Sequence, residues 1–515
     1  MTGKFENNRR IAKNTLMLYV RMLFTMVVSF YTSRVVLEVL GVSDYGIYNV
    51  VGGLVTMFTF ASGAMSSATQ RFLSVEIGKG PDGDVRRMFS TVVMVHIVLA
   101  VVVFVVGEAV GVWFLNTYMN FPADRYAAAN WVYQLSLATF VIDVISVPYN
   151  AAIIAYERMK AFAYVSIADV TLKLAVVCLI TLTTYDRLVV YAALLAIMAM
   201  AIRIIYGCYC SVHFPQCRCD MKWDMERAKN IMSFLGWNLI GSLAGVGKEQ
   251  GVNVLLNLFF GSAVNAARGV AYQAMYAISG FASNFQVAMN PQIIKSYAAG
   301  EKDEMFKLVF RGSKYSFLML LMLSLPVAVE APFILDLWLK EVPEYTVVFL
   351  RIVLLTTLID SLSNSLITSM HASGKVRDYQ IVVGGLSLLT LPVAYVCFKI
   401  GYPPQVAMWV SAAVAVVCHF ARQLLLRRTI NFPMGAFLRK VSLRVVLITV
   451  LSAVVPVGLS IIMDDGWGEL VVVCCVSVAA TAGLGYAVGM DVGEKAFVRG
   501  KTVSMFKKLK MLHDR

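Results

Sequence analysis

Charge is scarce in this chain: 15% of its 515 residues are Asp, Glu, Lys or Arg, against 59% hydrophobic. Water-soluble domains carry about a quarter charged residues, so one or two soluble globular domains are excluded. Catalytic signatures are scarce as well. The five histidines are scattered, no GxSxG, Walker A or HExxH run occurs, and the Asp-rich motifs of membrane prenyl-phosphate enzymes are missing. An enzyme is therefore not expected, and the driving force for any work is left to an ion gradient, the membrane potential or a substrate gradient. The breaks between apolar stretches are too short to hold a soluble catalytic domain. Nine cysteines lie mostly inside apolar stretches and make no disulfide framework. Cys208, Cys210, His213, Cys217 and Cys219 cluster, but with CxC where zinc sites use CxxC. Reduced structural thiols are expected there, with no metal and no cofactor.

What the chain has in abundance is apolar length. A membrane-spanning helix needs about 20 mainly apolar residues, and such stretches run from near Ile11 almost to Met490. They read as about fourteen spans, from 14–40 to 467–490, the seventh (231–260) and eighth (264–294) long enough to kink. The polar start MTGKFENNRR leads into a segment too long for a signal h-region, so the first helix is expected to stay. Lys and Arg are retained on the cytoplasmic side of short loops. Alternate loops hold 32 basic residues, the others only Arg125, Arg187, Lys340 and Lys399. Both termini are thus expected to be cytoplasmic, and the net charge of +14 reflects topology and anionic lipid rather than nucleic acid.

A weak internal repeat runs through the chain. Gly41 after the first span matches Gly261 after the seventh, SATQRFLSVEIGKG parallels NPQIIKSYAAGEK with Gln70 on Gln292 and Gly78 on Gly300, Asp143 pairs with Asp360, and Tyr164 with Tyr379. The expected architecture is all-α and polytopic, with two pseudo-symmetric six-helix lobes plus two extra C-terminal helices. The expected boundaries are an N-lobe at 1–212, an inter-lobe loop at 213–230, a C-lobe at 231–428, the last two helices at 429–490 and a basic tail at 491–515. An even number of helices per repeat gives both lobes one orientation, with the substrate path expected between them.

Nine basic residues fall inside the spans: Arg21, Arg34, Arg71, Lys173, Arg203, Lys248, Arg268, Arg351 and Arg422. A charge left unpaired in hydrocarbon costs several kcal/mol, so such residues face a bundle interior or a wet cavity. Arg71, Arg203, Arg422 and Arg351 lie near span ends, where long side chains snorkel to the interface. Lys173 stands one turn from Asp169, and Arg34 from Glu38, at pairing distance. Arg21, Lys248 and Arg268 have no such excuse, and a cationic cavity would suit an anionic substrate. At about 100° per residue Arg268, Tyr272, Ser279, Ser283, Gln286 and Asn290 share one face of the eighth span. Polar stripes also run along the second (Gly52, Thr56, Thr59, Gly63, Ser66, Gln70), the fourth (through Asp143) and the seventh (Asn238, Ser242, Gly245, Glu249, Asn253). The expected substrate-binding set is Arg21, Lys248, Arg268, Gln70, Tyr272, Gln286 and Asn290. Glu249, Asp143 and Asp360 are the candidates for coupling to a Na+ or H+ gradient, and Gly241, Gly245, Gly247 and Gly251 around Lys248 and Glu249 allow either close packing or a hinge.

The runs LGVSDYGIYNVVGG from Leu40, GAMSSATQRFLSVEIGKG from Gly63 and FFGSAVNAARGVAYQ from Phe259 resemble Wzx-type polysaccharide and O-antigen flippases. These form the oligosaccharidyl-lipid branch of the MOP (MATE-like) exporter superfamily. The resemblance covers almost the whole chain. It implies a V-shaped pair of six-helix lobes and a central cationic cavity. By alternating access that cavity carries an undecaprenyl-pyrophosphate-linked oligosaccharide from the cytoplasmic to the periplasmic leaflet of a bacterial inner membrane. It also implies helices thirteen and fourteen as a groove for the prenyl tail, and Arg21 and Arg268 as cavity arginines. Many relatives carry an IDR-like run late in helix seven, where this chain reads KEQGVNVLL, which leaves the ion-coupling residue open. The expected partners are the lipid-linked oligosaccharide, the bilayer and other polysaccharide-assembly proteins, with the chain itself a monomer. Two rivals stand beside this reading. A drug or small-cation exporter of the same fold needs an acidic cavity, and a membrane-embedded oligosaccharide polymerase needs a large external loop.

Overall fold

In lipid a backbone can satisfy its own polar groups within one segment only as a helix, and a chain this apolar folds accordingly. The computed structural model describes residues 2–56, 59–119, 123–217, 220, 224–339, 341–464, 466–491 and 493–496, and every regular element among them is helical. In order these are α1 (Thr2–Thr56), α2 (Thr59–Gly78), α3 (Val85–Val106), α4 (Trp113–Tyr118), α5 (Tyr126–Ala155), α6 (Met159–Ile180) and α7 (Arg187–His213). Next come α8 (Met225–Phe260), α9 (Ser262–Ala298), α10 (Lys302–Val329), α11 (Ala331–Trp338), α12 (Thr346–Ser361) and α13 (Asn364–Ser373). The rest are α14 (Arg377–Leu388), α15 (Thr390–Lys399), α16 (Val406–Ile430), α17 (Met434–Phe437), α18 (Leu443–Ile462) and α19 (Trp467–Leu484).

Each of the fourteen expected spans falls on one of these helices or on a broken pair, in order. Among the described residues, ten are long and apolar enough by themselves to cross a membrane. The other four lie in α1, α2, α8 and α9, whose polar stripes dilute their hydropathy. The chain is thus a multi-pass helical membrane protein. The first two spans are fused through α1, which bends at Gly41, where φ is +75° and ψ 167°. The third expected span, 88–115, falls on α3, a π-helical turn at Gly107–Val112 and α4, and the fourth, 127–155, on α5. Tyr133 of α5 explains that turn: its hydroxyl donates to the Gly107 carbonyl at 2.7 Å, a side-chain insertion of the kind that distorts a helix ladder.

Left-handed corners make the repeat visible in the backbone. Gly41 and Gly261 both have positive φ (+75° and +82°), and so do Gly80 and Gly300 (+64° and +79°). Both pairs are 220 residues apart. The match of Gly78 with Gly300 therefore slides by two residues, and at the corrected spacing Gln70 falls on Asn290. A further left-handed pair, Glu157 (+59°) and Gly374 (+76°), has the 217-residue spacing of Asp143 and Asp360. A Cβ at φ near +75° collides with the following carbonyl and costs roughly 1–2 kcal/mol. Gly41→Ala and Gly261→Ala should each lower stability by about that amount in thermal melts of the detergent-solubilised protein, whereas Gly63→Ala, in ordinary helix, should not.

The helices sort into two compact units. One comprises residues 1–247, 287–305 and 368–385, and the other 248–286, 306–367 and 386–515. The first packs α2, α3, α5 and α7 around Phe89, Val92, Val132, Tyr133 and Leu137, all essentially without solvent exposure. The second packs α8, α9, α12 and α16 around Leu256, Ala267, Phe349 and Leu350. α8 passes from one unit to the other at Gly247 and Lys248, within its glycine-rich stretch. Two of those glycines serve close packing: a Cβ on Gly241 would strike the Gln380 amide, and one on Gly251 the Leu391 side chain.

In the second unit the segment after α19 is tied down by charge. Glu494 accepts from Arg311 (2.9 Å) and Lys314 (2.8 Å), and Asp491 from Arg444 (2.8 Å). Although burial opposes it, these partners hold both carboxyls below their usual range. A carboxylate with a depressed folded-state pKa contributes stability above its unfolded value, and that contribution is lost as pH falls through the folded value. Stability should therefore be flat down to about pH 4.5 and fall below it. Glu494→Gln should flatten that acid limb in melting curves taken between pH 7 and 3.

Candidate functional site

Each unit carries its own ionic cluster, the one in the second unit built on a buried arginine. In the second unit Arg268 of α9 is only 5% exposed. Its guanidinium donates to Glu249 Oε2 at 2.7 Å and to Asn253 Oδ1, both on α8, and lies over the Tyr272 ring at 4.1 Å. Glu249 and Asn253 are one helical turn apart, so a planar fork can reach both, which a lysine could not. Tyr272, one turn beyond Arg268, gives the guanidinium a flat face. The carboxylate side stays open, with 36% of the Glu249 side chain accessible. Asp360 of α12 is partly buried in the same unit, within electrostatic reach of Arg422, Lys248 and Glu249. Four helices, α8, α9, α12 and α16, thus hold a near-neutral network in which Arg268 is the least exposed charge.

In the first unit Arg21 of α1 donates to Ser166 Oγ of α6 at 3.4 Å and sits over the Phe162 ring at 4.6 Å. Asp143 of α5 faces Lys173 and Asp169, and Lys173 bonds Asp169 at 2.8 Å, the one-turn pair expected from their spacing. Tyr206 of α7 lies within range of Arg21, Asp143 and Asp169. Asp143 and Asp360, matched by the repeat, each face basic groups of their own unit. Sequence spacing shows neither Tyr206 nor Ser166, because both come from other helices.

The remaining expected residues are distributed as follows. Gln70 bonds Ser66 on its own helix at 3.0 Å. Gln286, 5% exposed, donates to Ser316 and accepts from Ser365 at 3.3 Å, and Asn290 accepts from Thr368 at 2.9 Å. The stripe of α9 therefore divides: its Arg268 and Tyr272 end makes ionic and ring contacts, and its Gln286 and Asn290 end knits helices together. Arg203 lies over Tyr149 at 3.8 Å, and Arg351 caps the α10 end through the Ala328 carbonyl at 2.8 Å. The side chains of Arg34, Thr56 and Thr59 lie outside the described residues.

A second constellation, not anticipated, joins the ends of α2 and α9 to two corners of the first unit. Glu157, its side chain 1% exposed, bonds Lys295 at 2.7 Å and Gln292 at 3.1 Å. Arg71 Nε donates to the His371 carbonyl at 2.7 Å. Its symmetry shows in the backbone rather than in the sequence: Glu157 and Gly374 both have positive φ, 217 residues apart, and the corner at each receives a side chain, Lys295 of α9 at one and Arg71 of α2 at the other. Among the described residues no group of three His, Cys, Asp or Glu could hold a metal ion. Cys217 is buried, which pushes its thiol up and keeps it neutral; Cys219 lies outside the described residues.

This architecture is that of the MATE-like transporters of the MOP superfamily. A MATE transporter solved in complex with MaD3S superposes with a TM-score of 0.71 at 12% identity, over 82% of this chain and 97% of that one. A Pyrococcus furiosus MOP-superfamily transporter, whose binding pocket is described as of reverse polarity, gives 0.68 at 12% over 83% and 96%. A Vibrio cholerae MATE transporter gives 0.69 at 17% over 84% and 98%. The family model of polysaccharide biosynthesis proteins matches residues 11–297, more than half of the chain, and the chain belongs to that family. No curated protein matches it. The resemblance to the polysaccharide branch of the superfamily thus holds, and the chain is a membrane transporter of flippase type, not an enzyme.

Proposed function

We propose that the protein flips an undecaprenyl-pyrophosphate-linked oligosaccharide from the cytoplasmic to the periplasmic leaflet of a bacterial inner membrane by alternating access. Family membership supports the polysaccharide cargo, and the clean segregation of basic loops supports cytoplasmic termini. The observation that carries the anionic part of the reading is the buried Arg268 fork shared between Glu249 and Asn253. A guanidinium so held can exchange one carboxylate for another anion, because pyrophosphate oxygens offer the same bidentate geometry. Glu249 then becomes the switch. A Na+ or H+ arriving at its open face neutralises it and frees Arg268 for the cargo, and loss of that cation returns Arg268 to Glu249 and releases the cargo. Arg21, with Tyr206 and Ser166 beside it, supplies the anion contact of the first unit, Lys248 a second contact of the other, and Tyr272 an aromatic face for a sugar ring.

The test is reconstitution into proteoliposomes with a fluorescent lipid-linked oligosaccharide in one arm and a cationic dye in the other. Accessibility of the oligosaccharide to an external quencher should change within minutes in the first arm and not in protein-free vesicles. Transport of the dye with no movement of the oligosaccharide would replace this reading with that of a small-cation exporter.

A further inference from the structure

A cavity of about 490 Å³ opens in the first unit beside Arg71, far in sequence from the Arg268 cluster. That volume falls in the range of small-ligand sites, about 300–1,000 Å³. Its wall comes from the end of α2 (Arg71 and Phe72), the first turns of α8 (Asn230 to Trp237) and the corner from Ser373 to Arg377 that opens α14. Three cations line it, Arg71, Lys375 and Arg377, and none of the eleven lining residues is acidic. Asp378 follows Arg377 in the first turn of α14 but is exposed and not part of the wall.

The two guanidiniums are already posed. Arg71 lies over the Phe72 and Phe234 rings at 4.5 and 5.0 Å, and its Nε is fixed by the His371 carbonyl. Arg377 lies over Trp237 at 5.5 Å. Rings that hold guanidiniums by their faces leave the N–H edges for an acceptor, and the fork geometry favours phosphate. Gly374 keeps the place open: a Cβ there would come within 2.4 Å of an Arg71 terminal nitrogen. Snorkelling to the interface accounts for one basic residue near a span end, and does not account for three around one cavity with an aromatic wall.

We propose that this cavity binds the diphosphate end of the cargo on the basic-loop face, with Arg71, Lys375 and Arg377 on the phosphate oxygens and Trp237 against the first sugar. The assignment of the diphosphate to a lipid-linked cargo rests on the flippase reading; the anion site itself does not. Its place at the helix ends beside the basic loops makes it a site of first capture, where the headgroup is recognised before it leaves the leaflet.

The test is calorimetric titration of the detergent-solubilised full chain with inorganic pyrophosphate and with farnesyl pyrophosphate, repeated on Lys375→Gln/Arg377→Gln. Both substituted side chains are exposed, and an unchanged melting curve checks the fold. Pyrophosphate binding at least tenfold weaker in the double variant supports the site. Affinity equal to that of the unsubstituted chain, or no binding of either probe, overturns it. A tenfold preference for the farnesyl probe assigns the site to a lipid-borne diphosphate. Equal affinities, or displacement of both probes by phosphatidylglycerol nanodiscs, overturn the cargo assignment in favour of free anion or bulk lipid. The two readings fail separately. If the unsubstituted chain moves no lipid-linked oligosaccharide but binds pyrophosphate through Lys375 and Arg377, the transport reading falls and the anion site stands. If it moves the oligosaccharide and the double variant still binds pyrophosphate fully, only the site falls.

Discussion

Arg268→Ala should cut translocation of a lipid-linked oligosaccharide about a hundredfold in proteoliposomes of matched protein content. Removing one partner of a desolvated, hydrogen-bonded charge pair costs roughly 2–5 kcal/mol. Glu249 keeps about a third of its side chain accessible, so water relieves part of the loss and the lower half of that range applies. At about 1.4 kcal/mol per tenfold, 2–3 kcal/mol gives a factor of about 30–150. Much of that loss could arise from an orphaned Glu249 rather than from a missing cargo contact, and Arg268→Ala/Glu249→Gln separates the two. The double variant should regain the melting temperature and remain inactive. Full transport by that variant would show Arg268 to be only the counter-ion of Glu249. Arg268→Lys should be intermediate, since a point charge cannot span Glu249 and Asn253 together.

The largest effect on stability is expected at Glu157. Its carboxylate is almost wholly enclosed and satisfies both Lys295 and Gln292, so Glu157→Ala strands a cation at a packed corner. Breaking a buried pair from one side costs about 3–5 kcal/mol. The backbone adds a second handle, because residue 157 sits at φ +59°. Glu157→Gly should therefore fall about 1 kcal/mol less than Glu157→Ala, the left-handed conformation being free to glycine. Thermal melts of both variants in one detergent read that difference, and Lys295→Met in the Glu157→Ala background should recover part of the loss by removing the stranded charge. Equal melting temperatures for the Ala and Gly variants would mean that the corner relaxes when its carboxylate is gone.

These two residues also mark how far the sequence can be read. Arg268 is conspicuous because lipid leaves few reasons for an arginine inside a span, and the same dielectric argument finds Arg21 and Lys248. Helix number and order follow from hydropathy for a similar reason: spans are written in runs of about 20 residues, a signal local to the chain. The repeat is legible where chirality enforces it, at Gly41 and Gly261, and drifts by two residues at Gly78, where sequence similarity alone sets the register. What stays hidden is whatever depends on the packing of distant helices. Glu157 looks like an ordinary loop carboxylate until α9 brings Lys295 beside it. Arg71 passes for a snorkelling side chain until Trp237 and Arg377 appear across the cavity. Gln286 and Asn290 share a stripe with Arg268, yet periodicity gives only the face of a helix and not the neighbour it meets, here Ser316 and Thr368.

The central claim is that the cations within the spans carry an anionic lipid-linked cargo. The most direct measurement is the initial rate at which a fluorescent lipid-linked oligosaccharide crosses the proteoliposome bilayer, compared between the unsubstituted chain and Arg21→Ala/Lys248→Ala/Arg268→Ala at equal reconstituted amounts. The account predicts translocation by the former and a rate no higher than that of protein-free vesicles for the latter. Translocation by the triple variant at the unsubstituted rate would contradict it.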